Sequence, residues 1–117
     1  MSADVWGYQP TAGRAAGKDL IGYKVEATDG SIGKVDKHSD EVGSAYLVVD
    51  TGPWIFGKHV LLPAGTVARI DDTEERIYVD RTKEQIKNAP EFDKDQHLGD
   101  EGYHQQVGTY YSGNPHI

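Results

Sequence analysis

The sequence predicts a mainly β fold: a small β-barrel of about six antiparallel strands with a short closing helix and a weak C-terminal helix. Two observations carry this prediction. Between residues 20 and 93, short alternating or apolar runs are separated every few positions by glycine, proline or aspartate. This region then ends in a capping signal that begins a helix shortly before a proline. At 117 residues, the chain has room for one domain with tails.

The chain divides into three predicted parts. Residues 1–17 hold glycines and a proline with no sustained period, which predicts a flexible N-terminal arm. Residues 18–93 form the predicted barrel domain, and residues 94–117 form a polar tail that carries tyrosines. The arm contains the motif Trp6-Gly7-Tyr8. Because an aromatic side chain buries about 150 to 250 Å² in a pocket, this motif predicts a docked arm, and a solvated tail that happens to hold a tryptophan is the alternative.

The first two strands are predicted to form a hairpin. Residues 23–28 alternate with period two, which is typical of a strand with one face in water. Asp29-Gly30 predicts a tight turn with positive φ angles. The returning strand, residues 31–39, is interrupted by Gly33, which predicts a bulge or a close approach of two backbones.

The later strands are predicted from their apolar runs. Residues 45–49 are apolar at every position, so this strand is predicted to be central and covered on both faces. After a Gly-Pro break, residues 54–56 are a second piece that is apolar on both faces. The remaining strands are predicted at residues 60–62, 66–70 and 76–79. The acidic run at residues 71–75 is predicted to be a charged hairpin connection that keeps the sheet edge soluble.

Two short helices complete the predicted fold. Thr82 and Gln85 have the spacing of a capping box, and the helix that they begin cannot pass Pro90. In the tail, three apolar or aromatic residues recur at i, i+4 and i+7, namely Tyr103, Val107 and Tyr110. Asp100 is the predicted N-cap of this second helix, and Gly113-Asn114-Pro115 its stop. Two internal glycines each cost about 1 kcal/mol relative to alanine, so this helix is predicted to form by docking its tyrosine stripe.

Charge and cysteine content exclude several classes of function. The net charge is -7, with 19 acidic residues against 12 Lys and Arg. Nucleic acids and anionic lipids are bound mainly through Lys and Arg, so neither is a predicted partner. The absence of cysteine removes disulfides, thiol nucleophiles and Cys-ligated metals. The start of the chain lacks the pattern of a signal peptide, and no window approaches the roughly 20 apolar residues of a membrane span, so a cytoplasmic protein is predicted.

Five pieces of the chain, in order, resemble the PRC-barrel family. They are residues 20–25 (LIGYKV), 29–35 (DGSIGKV), 46–52, 60–63 and 82–90. The sequence is most similar to small stand-alone members of actinobacterial type, including their Trp-Gly-Tyr arm and Tyr-Tyr tail. The family includes the cytoplasmic domain of the photosynthetic reaction-centre H subunit and a domain of the ribosome maturation factor. The membrane helix of the first and the extra N-terminal barrel of the second have no counterpart here, so the resemblance implies a small β-barrel used as a docking module.

The leading prediction for function is therefore a non-enzymatic protein-interaction module that forms a homodimer and binds an unidentified protein partner. No catalytic, cofactor-binding or metal-ligating residue is predicted, since no nucleophile and base occur in a pattern that would bring them together. The interface candidates are the exposed or doubly apolar aromatic positions and one isoleucine between them: Trp6, Tyr8, Trp54, Ile55, Phe56, Tyr103, Tyr110 and Tyr111.

Two alternatives stay open. The first is a regulatory domain that binds a metal or a small molecule, either in a barrel mouth or at the turn of residues 36–41, where His38 has Asp36, Asp40 and Glu41 nearby. The second is a binder of a basic protein, similar to the ribosome maturation factor, because a negative surface steers basic partners.

Overall fold

The computed structural model describes residues 5–9, 12–14, 18–39, 45–52, 59–90, 92 and 100–112. Within them, six strands form one sheet, which confirms the mainly β prediction. The strands are β1 (Lys24–Ala27), β2 (Gly30–Ser39), β3 (Tyr46–Asp50), β4 (His59–Pro63), β5 (Val67–Asp71) and β6 (Arg76–Val79). The helices are α1 (Lys83–Lys87) and α2 (Glu101–Ser112), and a 3-10 turn at Ala64–Thr66 joins β4 to β5.

The sheet has the order β4-β3-β2-β1-β6-β5, and its β1–β6 pair differs from the predicted arrangement. Four pairs are antiparallel as predicted, whereas β1 and β6 run parallel, with Lys24 opposite Arg76 and Glu26 opposite Tyr78. Strand alternation cannot reveal this direction, because four other strands separate β1 from β6 along the chain. No ladder of the described residues pairs β4 with β5, so the hydrogen-bonded sheet is not closed there.

The β1–β2 hairpin depends on two glycines. At Gly33, φ is +150°, and a Cβ atom would lie 2.0 Å from the carbonyl oxygen of Asp50, so the predicted close approach of two backbones is confirmed. In the turn, Gly30 has a φ of +148°. The prediction of a positive φ at Asp29 is wrong, because Glu75 is the one non-glycine residue among those described that has it. The turn therefore needs left-handed backbone at one position and not at two.

The core lies along β3 and its neighbours. Leu47, Val48 and Val49 are consecutive and all fully buried, and β3 lies between β2 and β4, which confirms a strand covered on both faces. A strand with one wet face would bury only every second residue. The partly buried residues that pack against this core include the arm residues Val5 and Trp6, so the core extends beyond the sheet.

Both helices begin as predicted. The Thr82 hydroxyl accepts from the Gln85 backbone N–H at 3.1 Å, and the Gln85 side chain accepts from the Thr82 N–H at 2.9 Å, which completes the capping box. At α2, the Asp100 carboxylate accepts from the backbone N–H groups of Gly102 and Tyr103 at 2.9 and 3.3 Å. The predicted stop of α2 lies outside the described residues. Among those described, neither helix is long and apolar enough to cross a membrane.

Candidate interaction surface

The arm residues described by the structure pack on the folded body. The Val5 carbonyl accepts from the Gly65 N–H at 2.7 Å, and the Trp6 carbonyl accepts from the Ala45 N–H at 2.9 Å. The Trp6 indole stacks on the His104 ring of α2, with ring centroids 5.2 Å apart. A Cβ atom at Gly108 would lie 2.8 Å from the indole Nε1, so this glycine gives the indole its space against the helix. The packing explains why α2 tolerates a residue with poor helix propensity at this position.

Tyr8 and the three tyrosines of the tail also make contacts within the chain. Tyr8 packs against the core, with the Arg14 guanidinium 5.5 Å from its ring centre. Tyr103 is 5% exposed and donates to the Pro90 carbonyl at 2.9 Å. Tyr110 donates to the Gln85 carbonyl at 2.6 Å, and burial raises its pKa. Tyr111 is fully buried, and this burial raises its pKa as well.

A buried ion pair holds the end of α2 against the sheet. The Arg81 guanidinium donates to the carboxylate of Asp80, and it donates through Nη2 to the Tyr111 carbonyl at 2.9 Å. The last carbonyl groups of a helix have no hydrogen-bond donor inside the helix, and Arg81 provides a donor for one of them, the carbonyl of Tyr111. The Gln9 side chain of the arm donates to the Gly65 carbonyl at 2.8 Å and reaches Asp80 at 3.5 Å. The Asp80–Arg81 pair, which the sequence analysis did not single out, therefore connects the arm, through Asp80, with α2, through Arg81.

The remaining interface candidates, Trp54, Ile55 and Phe56, lie outside the described residues. For these three and for the candidates placed above, an interface with another molecule stays a prediction. The contacts of Trp6, Tyr103 and Tyr111 are with their own chain, so a partner would have to compete with the core for these side chains.

His38 and Asp36 of the proposed metal turn have separate partners. His38 accepts from the Leu20 backbone N–H at 3.2 Å, and its Nε2 lies 3.4 Å from the carboxylate of Asp19. Asp36 lies instead 3.6 Å from His59. No group of three metal-ligating side chains occurs among the residues that the structure describes, and Asp40 and Glu41 lie outside them. The geometry of the described residues therefore does not support the metal alternative.

The outer face of β2, β1, β6 and β5, here called the charged sheet face, carries the polar residues of the alternating strands. Pairing register places side chains in two rows across the sheet, since directly opposite residues point to the same face. The first row is Lys34, Lys24, Arg76 and Asp71, and the second is Ser31, Glu26, Tyr78 and Arg69. Val25, Ile77, Val79 and Ile70 alternate with these residues and are buried on the inner face.

Ion pairs and one cation–π contact order part of this face. Arg76 donates to Glu26 at 3.2 Å, which ties the first row to the second. Arg69 lies 3.6 Å from Asp71, and its guanidinium carbon is 4.3 Å from the centre of the Tyr78 ring. A guanidinium over a tyrosine ring is a favourable electrostatic arrangement. The half-buried ring of Tyr78 is thereby held in place between the charged side chains of Arg69 and Glu26.

The hairpin between β5 and β6 borders the charged sheet face and is acidic. The Asp71 carboxylate accepts from the Thr73 and Glu74 N–H groups, both at 3.0 Å, and these hydrogen bonds lower the pKa of Asp71. The Tyr23 hydroxyl donates to Asp72 at 2.7 Å, and this bond raises the pKa of Tyr23 to about 12. The hairpin was predicted from its acidic composition, but its position at the edge of a face with several cations follows from the pairing of β1 with β6.

A second exposed feature is a shallow open groove beside α2. It is lined by Pro90, Gly102, Gln105, Gln106, Thr109 and Tyr110. The groove is open to solvent along α2, and its amide, hydroxyl and proline groups are electrically neutral. It lacks the convergent polar groups that orient a small molecule in a pocket.

The fold and the charged sheet face define a small mainly β module that presents an ordered polar sheet surface. The model of the PRC-barrel domain family matches residues 13–86, which is more than half of the chain. This chain therefore belongs to the PRC-barrel family, whose domains are generally non-catalytic modules that mediate protein interactions. No curated protein sequence matches the chain.

Proposed function

We propose that this protein is a non-enzymatic docking module that binds a protein partner through the charged sheet face. The observation that supports this role is the exposure of that face: Lys24, Lys34, Ser31 and Arg69 are exposed, and no described part of the chain packs over them. The face is also ordered, because Arg69, Tyr78 and Asp71 hold one another in place. An ordered surface loses little conformational freedom on binding, which favours affinity.

Tyr78 is the natural centre of such a contact. Tyrosine and arginine are enriched among the residues that dominate interface energies, and here one guanidinium already lies on the ring. The tail and arm aromatics are less suited to a reversible contact, because Tyr103 and Tyr111 are buried in their own chain. We further propose a cytoplasmic location, in line with the family resemblance.

Site-specific photo-cross-linking in the native cell tests the docking role. A photoreactive amino acid is placed at Ser31, an exposed uncharged position in the second row, and in a separate variant at Gln106, in the groove beside α2. We expect a discrete adduct with one protein from Ser31 and none, or a diffuse pattern, from Gln106. The proposal is wrong if Ser31 gives no adduct under conditions in which the protein is folded and expressed.

Homodimerisation is proposed on separate grounds. Trp54, Ile55 and Phe56 are three consecutive apolar residues in the sequence, and a small barrel has little interior for so much aromatic surface. Sedimentation of the native chain is expected to give a dimer, and Trp54→Ala is expected to give a monomer. A native chain that sediments as a monomer at every concentration would remove the dimer without affecting the docking role.

A further inference from the structure

The charged sheet face contains a pair of lysines that the fold places side by side. Lys24 on β1 lies directly opposite Lys34 on β2 in the antiparallel ladder, and both side chains are exposed. Like charges directly opposite one another destabilise a strand pair. Neither lysine forms an ion pair with any residue that the structure describes. Two ammonium groups on adjacent strands, about 5 Å apart at their Cβ atoms, are therefore available to one anion.

Two arginines lie on the same face as the lysine pair, on the neighbouring strands β6 and β5. Arg76 continues the first row on β6, and Arg69 lies in the second row on β5. Within β1, β2, β5 and β6, the carboxylates on the face, Glu26 and Asp71, are paired with these two arginines, at 3.2 and 3.6 Å. On β3, Asp50 lies directly opposite Lys34, but its carboxylate accepts from the Gly52 N–H at 3.0 Å and forms no ion pair with a described residue. The two lysines are thus the cations of this face that have no ion pair among the described residues, and the Arg69–Tyr78 contact lies at the other end.

We infer that the charged sheet face binds an acidic peptide segment of a partner protein, with one carboxylate between Lys24 and Lys34 and a second near Arg69 and Tyr78. This inference rests on the docking role proposed above. Neighbouring strands are about 4.8 Å apart, so the path from the lysine pair to β5 crosses about 12 Å. An extended peptide spans about 3.3 Å per residue, so acidic residues about four positions apart reach both ends of the face.

A peptide suits this face better than a nucleic acid does. Strong binding of a phosphate chain needs many uncompensated cations, whereas here two of the four are already paired with carboxylates. The hairpin beside the face adds exposed Asp72, Glu74 and Glu75, and the chain as a whole carries a charge of -7. A long polyanion would overlap this negative surface, whereas a short acidic segment is attracted locally and extends no further.

Fluorescence anisotropy with a defined probe tests the inference. The probe is a short labelled peptide with glutamate at every fourth position and serine and glycine elsewhere, and a matched peptide has glutamine in place of glutamate. The full chain is expected to bind the glutamate peptide and not the glutamine peptide. Because exposed charges are screened within about 10 Å at 0.1 M salt, the affinity is expected to fall as salt is added.

Two double variants with the same net charge separate the site from the overall charge. Lys24→Gln/Lys34→Gln removes the lysine pair and is expected to weaken binding roughly tenfold, which corresponds to about 1.4 kcal/mol. Lys18→Gln/Lys87→Gln removes two exposed lysines elsewhere and is expected to leave the affinity unchanged. Circular dichroism checks that both variants are folded.

Several outcomes would overturn the inference. It is wrong if the glutamate peptide does not bind, if both double variants weaken binding equally, or if a single-stranded oligonucleotide of the same charge binds more tightly. Self-association of the native chain that disappears in Lys24→Gln/Lys34→Gln would instead make the acidic surface of a second copy the occupant. A Ser31 adduct in cells without peptide binding would leave the docking role in place with a partner of different chemistry. Peptide binding without any Ser31 adduct would remove the docking role.

Discussion

Two regions of this protein use aromatic and charged residues in opposite ways. In the arm–helix region, formed by residues 5–9, α2 and the Asp80–Arg81 pair, aromatic rings pack into the core, and the Arg81 guanidinium, the one buried guanidinium among the described residues, is paired with a carboxylate and a helix carbonyl. On the charged sheet face, the ring of Tyr78 is half-buried under Arg69, and two lysines point to solvent. The difference shows that burial, and not residue type, decides which aromatic residues are available to a partner.

The largest expected effect comes from the same substitution made in each region. Arg81→Met leaves Asp80 in a buried position without its guanidinium and removes the donor to the end of α2, so we expect the free energy of unfolding to fall by about 3 kcal/mol. Arg69→Met, at a side chain that is 57% exposed, is expected to cost less than about 1 kcal/mol. Urea unfolding of both variants measures the difference, and equal losses would contradict the contrast between the two regions.

Alanine substitutions at the two glycines of α2 are expected to change the stability by smaller amounts, and in opposite directions. At Gly108, an added methyl group meets the Trp6 indole, and overpacking costs about 1 to 3 kcal/mol against a gain of about 1 kcal/mol in helix propensity. We therefore expect Gly108→Ala to destabilise the protein. The methyl group of Gly102→Ala would lie 3.3 Å from the carboxylate oxygen of Asp100 that caps α2. Because Asp100 is exposed, a shift of a few tenths of an ångström relieves this contact, and we expect the variant to stabilise the protein by up to about 1 kcal/mol. A stabilising Gly108→Ala would show that Trp6 does not dock as described; thermal unfolding measures both.

The Tyr23–Asp72 hydrogen bond predicts a dependence of stability on alkaline pH. The bond raises the pKa of Tyr23 to about 12, whereas an unperturbed tyrosine has a pKa of roughly 10. The protonated phenol is thus favoured in the folded state, so this contribution is complete below pH 10 and is lost as the pH rises towards 12. Asp72→Asn is expected to lower the pKa of Tyr23 towards its usual value. Ultraviolet absorbance during an alkaline titration measures the pKa, with Asp29→Asn as a control that should not change it.

The smallest effect is expected at the lysine pair. Removing one of two like charges that lie opposite each other is expected to raise the free energy of unfolding by a few tenths of a kcal/mol, in the range of measured cross-strand pairs. Lys24 lies opposite Lys34 on one side and Arg76 on the other, so Lys24→Gln should show this gain at low salt and lose it at high salt, while Lys87→Gln on α1 should show neither. If Lys24 is also needed for peptide binding, it lowers the stability of the fold while it contributes to function. A destabilising Lys24→Gln would indicate that the lysine has a structural role.

Much of the fold could be predicted from local pattern. The capping box of Thr82 and Gln85 and the N-cap at Asp100 depend on residues three positions apart or fewer, so their physics is contained in short windows. The buried strand β3 could be predicted because a strand covered on both faces has a continuous run of apolar residues, as residues 46–49 do. The parallel pairing of β1 with β6 was missed, because it joins segments about 50 residues apart and depends on the path of the chain between them.

The candidate site was less predictable than the fold. The sequence analysis favoured aromatic residues in the arm and tail, and the structure places most of these against the chain's own core. The sequence pattern does not distinguish Lys24, Arg69 and Tyr78 from other polar residues, because each is an ordinary outward residue of an alternating strand. These three residues share one face of the sheet only because β6 lies between β1 and β5.

By itself, the sequence determined the class of fold, the turn at Gly30, the close approach at Gly33, the starts of both helices and the absence of cysteine chemistry. These features depend on backbone sterics, local hydrogen bonding and composition, which act over a few residues. Tertiary structure alone decided the rest: that Trp6 fills the space left by Gly108, that Arg81 holds the end of α2, and that two lysines share one face with Tyr78. Such contacts are made between residues distant in sequence, and their energies depend on burial and separation in space, which no short window contains.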